Sequence, residues 1–197
     1  MNFGWRKRLT PKLKNMQENL FFNKNELKYC GSNVIIGKTV RIRQPHLASI
    51  GDNSIIDDFT YISSSIEIGR FCHIASNVNI SGGGGIFKML DYSTLSSHVS
   101  VHCLSSDYNS ISLDLPSVPV NMQFGGHKDN IFIDKFVTVG AHSCILPGAF
   151  LPEGSAFGAY TLIKKRQYLK FHLYAGVSCR DLGLRDCEKF NLIKHKL

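Results

Sequence analysis

The amino-acid sequence predicts an all-β fold in which short strands wind into a parallel β-helix, and two observations predict it. Aliphatic residues recur at every sixth position over long stretches, a period that neither an α-helix nor a single alternating strand produces. A small or branched residue follows most of them four positions later. A fixed six-residue repeat is typical of a β-helix, in which each hexad forms one short strand and one turn.

The repeat gives each coil its core. Its aliphatic positions are Ile50, Ile56, Ile62, Ile68, Ile74, Ile80, Met89, Leu95, Val101, Ile133, Val139, Ile145, Leu151, Phe157 and Ile163. The small or branched positions are Ser54, Thr60, Cys72, Val78, Ser93, Val99, Val137, Ser143, Ala149, Ser155 and Thr161. Three hexads make one triangular coil, and coils stack at the β spacing of about 4.8 Å. We therefore expect each inward aliphatic residue to pack on its counterpart in the coil below.

Residues 1–30 do not carry the repeat and are predicted to form a helical N-terminal segment. Apolar residues lie at helical spacing there, namely Leu9, Leu13, Met16 and Leu20. This segment could cap the first coil, as the ends of a solenoid require. Alternatively, it could rest on a membrane surface through Trp5 and the basic residues beside it. Capping is the preferred interpretation.

The β-helix is predicted over residues 31–182, interrupted by one long excursion. The period disappears between about residues 102 and 130, a stretch rich in Ser, Asp, Asn and Pro. So long a segment without a repeat is usually functional or disordered, and we expect it to project from the prism as a loop. Four glycines at residues 82–85 favour a turn. The tail, residues 183–197, is predicted to form a short C-terminal helix.

Charge and cysteine usage narrow the functional classes. The net charge is +8, from 23 Lys and Arg against 15 Asp and Glu. Solvated ends of the chain explain it as well as an anionic ligand, such as a phosphorylated cofactor, or an acidic membrane surface. No nucleic-acid motif appears, so we expect no nucleic-acid partner. Six cysteines without a C-x-x-C pair argue against a zinc site and a disulfide framework. With no long apolar run and no signal peptide, a reduced, cytoplasmic enzyme is the expectation.

Three motifs give the sequence a family resemblance. Residues 139–148 read VGAHSCILPG, residues 157–165 read FGAYTLIKK, and residues 175–180 read AGVSCR. Together with the repeat, they resemble the left-handed β-helix acyltransferases, above all the galactoside-acetyltransferase-like sugar O-acetyltransferases. The resemblance covers about residues 31–182.

The resemblance implies an acetyl-CoA-dependent transfer of an acetyl group to a sugar hydroxyl, such as one of a polysaccharide or O-antigen sugar. In this family three chains form a trimer, and acetyl-CoA lies in the groove between neighbouring prisms. By matched position, Ala141 and Ala159 would line the pantetheine path. Lys164, Lys165 and Arg180 would approach the cofactor phosphates, where charge-assisted contacts are strong.

The expected chemistry needs a base, and the sequence leaves its identity open. A histidine suits the task because its pKa lies near working pH. The position that holds the family's histidine is Ser106 here, so a neighbouring histidine is predicted to act instead. His102 is preferred, with Asp107 to orient it, and His127 at the far end of the excursion is the second candidate. The remaining alternatives are His98, His73 and His142.

The acceptor site is predicted one coil earlier. The resemblance implies that an asparagine in this hexad contacts the acceptor sugar, which makes Asn77 and Asn79 the candidates. A ladder of asparagines in the turns is an equally good explanation of both residues. The sequence does not identify the acceptor.

Three other functions stay open. A non-catalytic scaffold or binding module would explain the displaced histidine. An amino-sugar N-acetyltransferase would keep the acyl transfer, but such enzymes often carry an additional N-terminal domain for which 30 residues are too few. A γ-type carbonic anhydrase would hold zinc with three histidines across a trimer interface. His98 and His102 lie four residues apart, but His73 does not match the third position, so this alternative is the weakest.

Overall fold

A computed structural model describes residues 18–109, 111 and 113–193, in which the chain winds around the three faces of a triangular prism. The first face is a sheet of β1 (Tyr29–Cys30), β4 (Ala48–Ile50), β7 (Ser65–Ile68), β10 (Ile86–Met89), β15 (Ile131–Ile133) and β18 (Phe150–Leu151). The second comprises β2 (Ile35–Ile36), β5 (Ile55–Ile56), β8 (His73–Ile74), β11 (Thr94–Leu95), β16 (Thr138–Val139), β19 (Ala156–Phe157), β21 (His172–Ala175) and β22 (Arg180–Leu184). The third comprises β3 (Arg41–Ile42), β6 (Tyr61–Ile62), β9 (Asn79–Ser81), β12 (Ser100–His102), β17 (Cys144–Ile145) and β20 (Leu162–Ile163).

The six-residue columns form the core, as predicted. All fifteen aliphatic positions of the repeat are buried, and so are all eleven small or branched positions, including Cys72. Strands of successive coils pair in parallel and in register; Ile80, for example, lies opposite Val101, and Val101 lies opposite Ile145. The period of six thus fixes which residues lie above one another on every face.

Two corners of the prism are built from turns that hold one residue in the left-handed conformation. Between the second and third faces, these residues are Phe59, Asn77, His98, His142 and Tyr160. Between the first and second faces, they include Phe71, Tyr92, Phe136 and Phe171. Their repetition stacks side chains into ladders along each corner.

The N-terminal prediction is tested only in part. Residues 1–17, with Leu9, Leu13, Met16, Trp5 and the basic cluster, lie outside the described residues. Leu20 is not helical: residues 18–30 contain one 3₁₀ turn at Lys24–Glu26 and then β1, which pairs with β4. The first coil therefore begins at Tyr29.

The C-terminal end differs from the prediction. Strand β22 folds back antiparallel on β21, so the sheet continues through Leu184. Within the described residues, the predicted C-terminal helix, α1, spans Glu188–Ile193. It is anchored by Phe190, whose ring meets that of Phe136 edge-on at 4.8 Å between centroids. Among the described residues, no helix is long and apolar enough to cross a bilayer.

The excursion leaves the prism after β12 and returns at β15. It begins and ends as a small antiparallel ladder between β13 (Leu104–Ser105) and β14 (His127–Lys128). A 3₁₀ turn at Val120–Met122 and a bridge between Leu113 and Phe124 lie further out. The β13–β14 ladder therefore holds the base of the excursion directly beside His102.

A separate 3₁₀ turn, Pro45–Leu47, lies outside the excursion and occupies the insertion before β4.

Candidate active site

His102 is the last residue of β12 and lies on the outer surface of the third face, where the excursion departs. Its register partner is Ser81 in the coil below, and Ser81 Oγ lies 3.1 Å from His102 Nδ1. The imidazole is half-buried, and this burial lowers its pKa. The lowered pKa favours the neutral ring, the form in which a ring nitrogen accepts a proton.

Asp107 is placed beside His127 rather than beside His102. His127 Nε2 lies 3.8 Å from Asp107 Oδ1, and His127 itself is mostly exposed. Asp107 also receives a hydrogen bond from the backbone N–H of Asn109 at 2.9 Å. At His102 Nδ1 the neighbouring side chain is that of Ser81, and the prediction that Asp107 orients His102 stays a prediction.

The three remaining candidate histidines, His73, His98 and His142, make local contacts. The rings of His98 and His142 stack at 4.7 Å between centroids, and His142 stacks on Tyr160 at 4.8 Å, so all three form one corner ladder. His73 Nε2 lies 2.8 Å from Asp57 Oδ2 on the second face. Across the described ranges, no three His, Cys, Asp or Glu side chains come close enough to hold a metal ion.

Asn77 and Asn79 occupy two different environments. Asn77 is a corner residue with a φ of 60°, directly below His98 in the turn column. Asn79 is on the outer surface of the third face, opposite Ser100 and diagonal to His102. Its side-chain Oδ1 is buried and has no hydrogen-bond partner in the part of the chain that the structure describes, a situation that typically costs about 1–3 kcal/mol. Of the two asparagines, Asn79 is the one on the face that carries His102.

The two alanines implied for the cofactor lie in adjacent coils. The N–H of Tyr160 donates to the carbonyl of Ala141 at 2.9 Å, which sets Ala159 directly above Ala141. A Cβ on the preceding Gly158 would lie 3.2 Å from the Cβ of Ala175. Arg180 is the register partner of Ala175 and is exposed. Ala141, Ala159 and Arg180 thus share one corner of the prism.

Lys164 and Lys165, the two lysines implied for the cofactor phosphates, directly follow β20, whereas Ala159 precedes it. Lys165 Nζ forms an ion pair with Asp129 Oδ2 at 2.8 Å, which lowers the pKa of that carboxyl group. The backbone N–H of Lys164 donates to the hydroxyl of Tyr168 at 3.2 Å, and the side chain of Lys164 is exposed. Lys165 therefore ties the return of the excursion to the prism.

Comparisons with known proteins agree with this architecture. The family model for bacterial transferase hexapeptide (six repeats) matches residues 48–82. An Escherichia coli dTDP-4-amino-4,6-dideoxy-D-glucose acyltransferase is 34% identical over 141 residues, which are 70% of this chain and 72% of the relative. The chain belongs to the hexapeptide-repeat acyltransferases. Its fold is the left-handed β-helix predicted from the repeat.

Solved structures extend the similarity of this acyltransferase over nearly its whole length. AntD, an N-acyltransferase from Bacillus cereus crystallised with dTDP and 3-hydroxybutyryl-CoA, is 30% identical with a TM-score of 0.80. That match covers 90% of this chain and 96% of AntD. A hexapeptide-repeat acetyltransferase from Vibrio cholerae, crystallised with acetyl-CoA, is 13% identical with a TM-score of 0.56, over 83% of this chain and 74% of its own. The latter likeness shows the fold alone.

Two residues of the acyltransferase were missed by the sequence analysis. Ser81 follows Ile80 as His102 follows Val101, so the register of the repeat contained the signal for their contact. Arg166 directly follows Lys165 but was not singled out from the sequence. Its guanidinium lies 4.7 Å from the ring centroid of Tyr168 and 3.8 Å from Cys179 Sγ, contacts that follow from an irregular turn without a hexad pattern.

Proposed function

We propose that this protein transfers an acyl group from an acyl-CoA to the amino group of a nucleotide-linked amino sugar. The observation that carries the proposal is the match with AntD over 90% of this chain and 96% of that one. The E. coli relative, which is named for the same class of acceptor, supports it. The net charge of +8 suits a donor and an acceptor that both carry phosphates.

This proposal changes the acceptor expected from the sequence alone. The resemblance to the sugar O-acetyltransferases implied a hydroxyl acceptor, and the objection to an amino-sugar N-acetyltransferase was that such enzymes often have an additional N-terminal domain. The AntD chain is spanned almost entirely by this one. A match of this extent to an N-acyltransferase removes the objection to an amino-sugar acceptor.

The proposed chemistry is a direct transfer. The amine attacks the thioester carbonyl, so a C–N bond forms and the C–S bond breaks when the tetrahedral intermediate collapses. The amine proton passes to His102 Nε2 and then to the departing CoA sulfur, which leaves as the free thiol. We assign the role of base to His102 because it is half-buried and its lowered pKa favours the neutral ring, whereas His127 is mostly exposed.

The remaining assignments complete the proposed site. Ala141 and Ala159 line the pantetheine path because they present only methyl groups at their shared corner. Arg180 and Lys164 approach the cofactor phosphates, and Lys165 approaches them when its ion pair with Asp129 breaks. Asn79 contacts the acceptor from the face that carries His102, with Asn77 at the corner beside it.

We also propose a homotrimer, since the resemblance implies that the cofactor binds between neighbouring prisms. Size-exclusion chromatography with light scattering should then give about three times the chain mass of 22.0 kDa. A monomeric mass with full activity would overturn this part of the proposal.

One assay tests the reaction. The protein is mixed with dTDP-4-amino-4,6-dideoxyglucose and either acetyl-CoA or 3-hydroxybutyryl-CoA, and both thiol release and product mass are followed. The matched acceptor carries a hydroxyl in place of the amine. We expect turnover with the amine and a product that resists mild hydroxylamine, because an amide survives it and an ester does not. An ester product would instead establish O-acyl transfer, and no thiol release together with no CoA binding would indicate a scaffold.

A second set of variants tests the base. His102→Ala should lower kcat by about a hundredfold or more, the usual contribution of general-base catalysis. His46→Ala, on an exposed 3₁₀ turn, is the control and should be unaffected. If His127→Ala shows the large loss instead, the base is His127.

A further inference from the structure

The outer surface of the third face contains a serine–histidine contact that no motif predicted. Ser81 and His102 end neighbouring strands in register, and the backbone N–H of Cys103 donates to the carbonyl of Ser81 at 2.8 Å. Ser81 Oγ is 3.1 Å from His102 Nδ1 and 3.4 Å from the carbonyl oxygen of Val101. The hydroxyl is therefore positioned between a ring nitrogen and a backbone acceptor.

The glycine run explains why this geometry is rigid. Gly82 has a φ of +103°, and a Cβ there would collide with the backbone nitrogen of Leu104. The carbonyl of Gly82 also accepts a hydrogen bond from Ser64 Oγ at 3.2 Å. The backbone at Gly82 therefore packs closely against the backbone at Leu104, and Ser81 has little freedom to move away from His102.

From this arrangement we infer that Ser81 is a positioning residue that selects the tautomer of His102. A serine hydroxyl has one proton to donate. When it donates to the Val101 carbonyl, its oxygen accepts the Nδ1–H of His102, and the lone pair of the imidazole is on Nε2. Among the described residues, no side chain or backbone group hydrogen-bonds to Nε2, so it is available to an acceptor substrate.

The opposite tautomer would be inactive as a base at Nε2. It would require the serine proton to point at Nδ1, which gives up the hydrogen bond to the Val101 carbonyl. The fixed carbonyl therefore biases the pair toward the useful state. This is the logic by which a hydrogen bond to one ring nitrogen determines which nitrogen carries the proton. The inference deepens the proposed function, since the kinetic consequence rests on His102 as the base.

Nuclear magnetic resonance gives a test that does not depend on activity. In protein labelled with ¹⁵N-histidine, at a pH above the histidine pKa, we expect Nδ1 of His102 to be protonated and Nε2 to be bare. Ser81→Ala should yield a mixture of the two tautomers, and Ser81→Thr should restore the wild-type state. A wild-type His102 that is protonated on Nε2 would overturn the inference, whatever the enzyme assay shows.

Enzyme kinetics provide a second test of the positioning role of Ser81. Ser81→Ala should lower kcat roughly tenfold, the usual effect of losing a residue that orients a catalytic group, with KM for acyl-CoA unchanged. In a His102→Ala background the same substitution should have no further effect. Ser65→Ala is the matched control, since the Ser65 hydroxyl also donates to a backbone carbonyl, that of Leu47 at 3.1 Å, but on the first face. Additive losses in the double variant would overturn the positioning role, whereas an inactive wild type with the expected tautomer would refute only the proposed function.

Discussion

Replacement of Gly51 by alanine tests the close stacking of coils on which the whole site depends. A Cβ at this position would lie 2.6 Å from both the carbonyl carbon and the carbonyl oxygen of Gly69 in the next coil. Ordinary contact begins near 3.4 Å, so the two coils must separate locally by about 0.8 Å. The N–H of Gly51 donates to the carbonyl of Ile68 at 2.8 Å, and this hydrogen bond would weaken as the coils separate.

The expected loss in the free energy of unfolding follows from these two effects. Overpacking costs about 1–3 kcal/mol and a weakened backbone hydrogen bond about 1 kcal/mol. The alanine reduces the entropy of the unfolded chain, which offsets about 0.4–1 kcal/mol. A net loss of about 2–3 kcal/mol corresponds to a melting temperature lower by about 4–12 °C.

Thermal and urea unfolding, followed by circular dichroism, would measure this loss. The control is Gly83→Ala, because a Cβ there meets nothing within 4 Å and φ is not in the left-handed region. The control should stay within about 0.5 kcal/mol of wild type. If Gly51→Ala and Gly83→Ala proved equally stable, the reasoning from coil spacing would be refuted.

Three further predictions concern the C-terminal helix, the base and the buried thiol. Phe190→Ala should speed proteolysis of α1, because its ring is the contact with Phe136, whereas Leu192→Ala, at a position 76% exposed, should not. The ring of His102 should titrate in histidine nuclear magnetic resonance spectra with a midpoint below about 6.5, because burial lowers its pKa; a midpoint above this value would contradict the burial on which the assignment rests. Burial raises the pKa of the Cys72 thiol to about 11, so a maleimide at mildly alkaline pH should label Cys72 only in denatured protein, as mass spectrometry of peptides would show; labelling of the native protein would contradict this burial.

The repeat predicted the prism because every inward position repeats one physical requirement, an aliphatic side chain that packs on its own counterpart. Strand β22 was missed for the opposite reason. It pairs antiparallel with β21, so residues Arg180–Leu184 follow no hexad pattern. The same limit applies to the contact between Asp107 and His127, which is assembled by the β13–β14 ladder rather than by the repeat.

The candidate site likewise contains one contact that the repeat predicts and one that it does not. Ser81 and His102 occupy equivalent positions in successive coils, so their contact was encoded in the period. The ion pair between Lys165 and Asp129 joins a turn to the end of the excursion, and only the three-dimensional structure brings them together.

The way the excursion is inserted into the β-helix determines how freely its length and sequence can vary. The prism closes beneath the loop without a defect, because β10 pairs directly with β15 and β12 with β17. About thirty residues can therefore be lengthened, shortened or exchanged at one corner while the scaffold keeps its register. Selection, or a protein engineer, can therefore exchange this loop as a separate part while the β-helical framework stays intact.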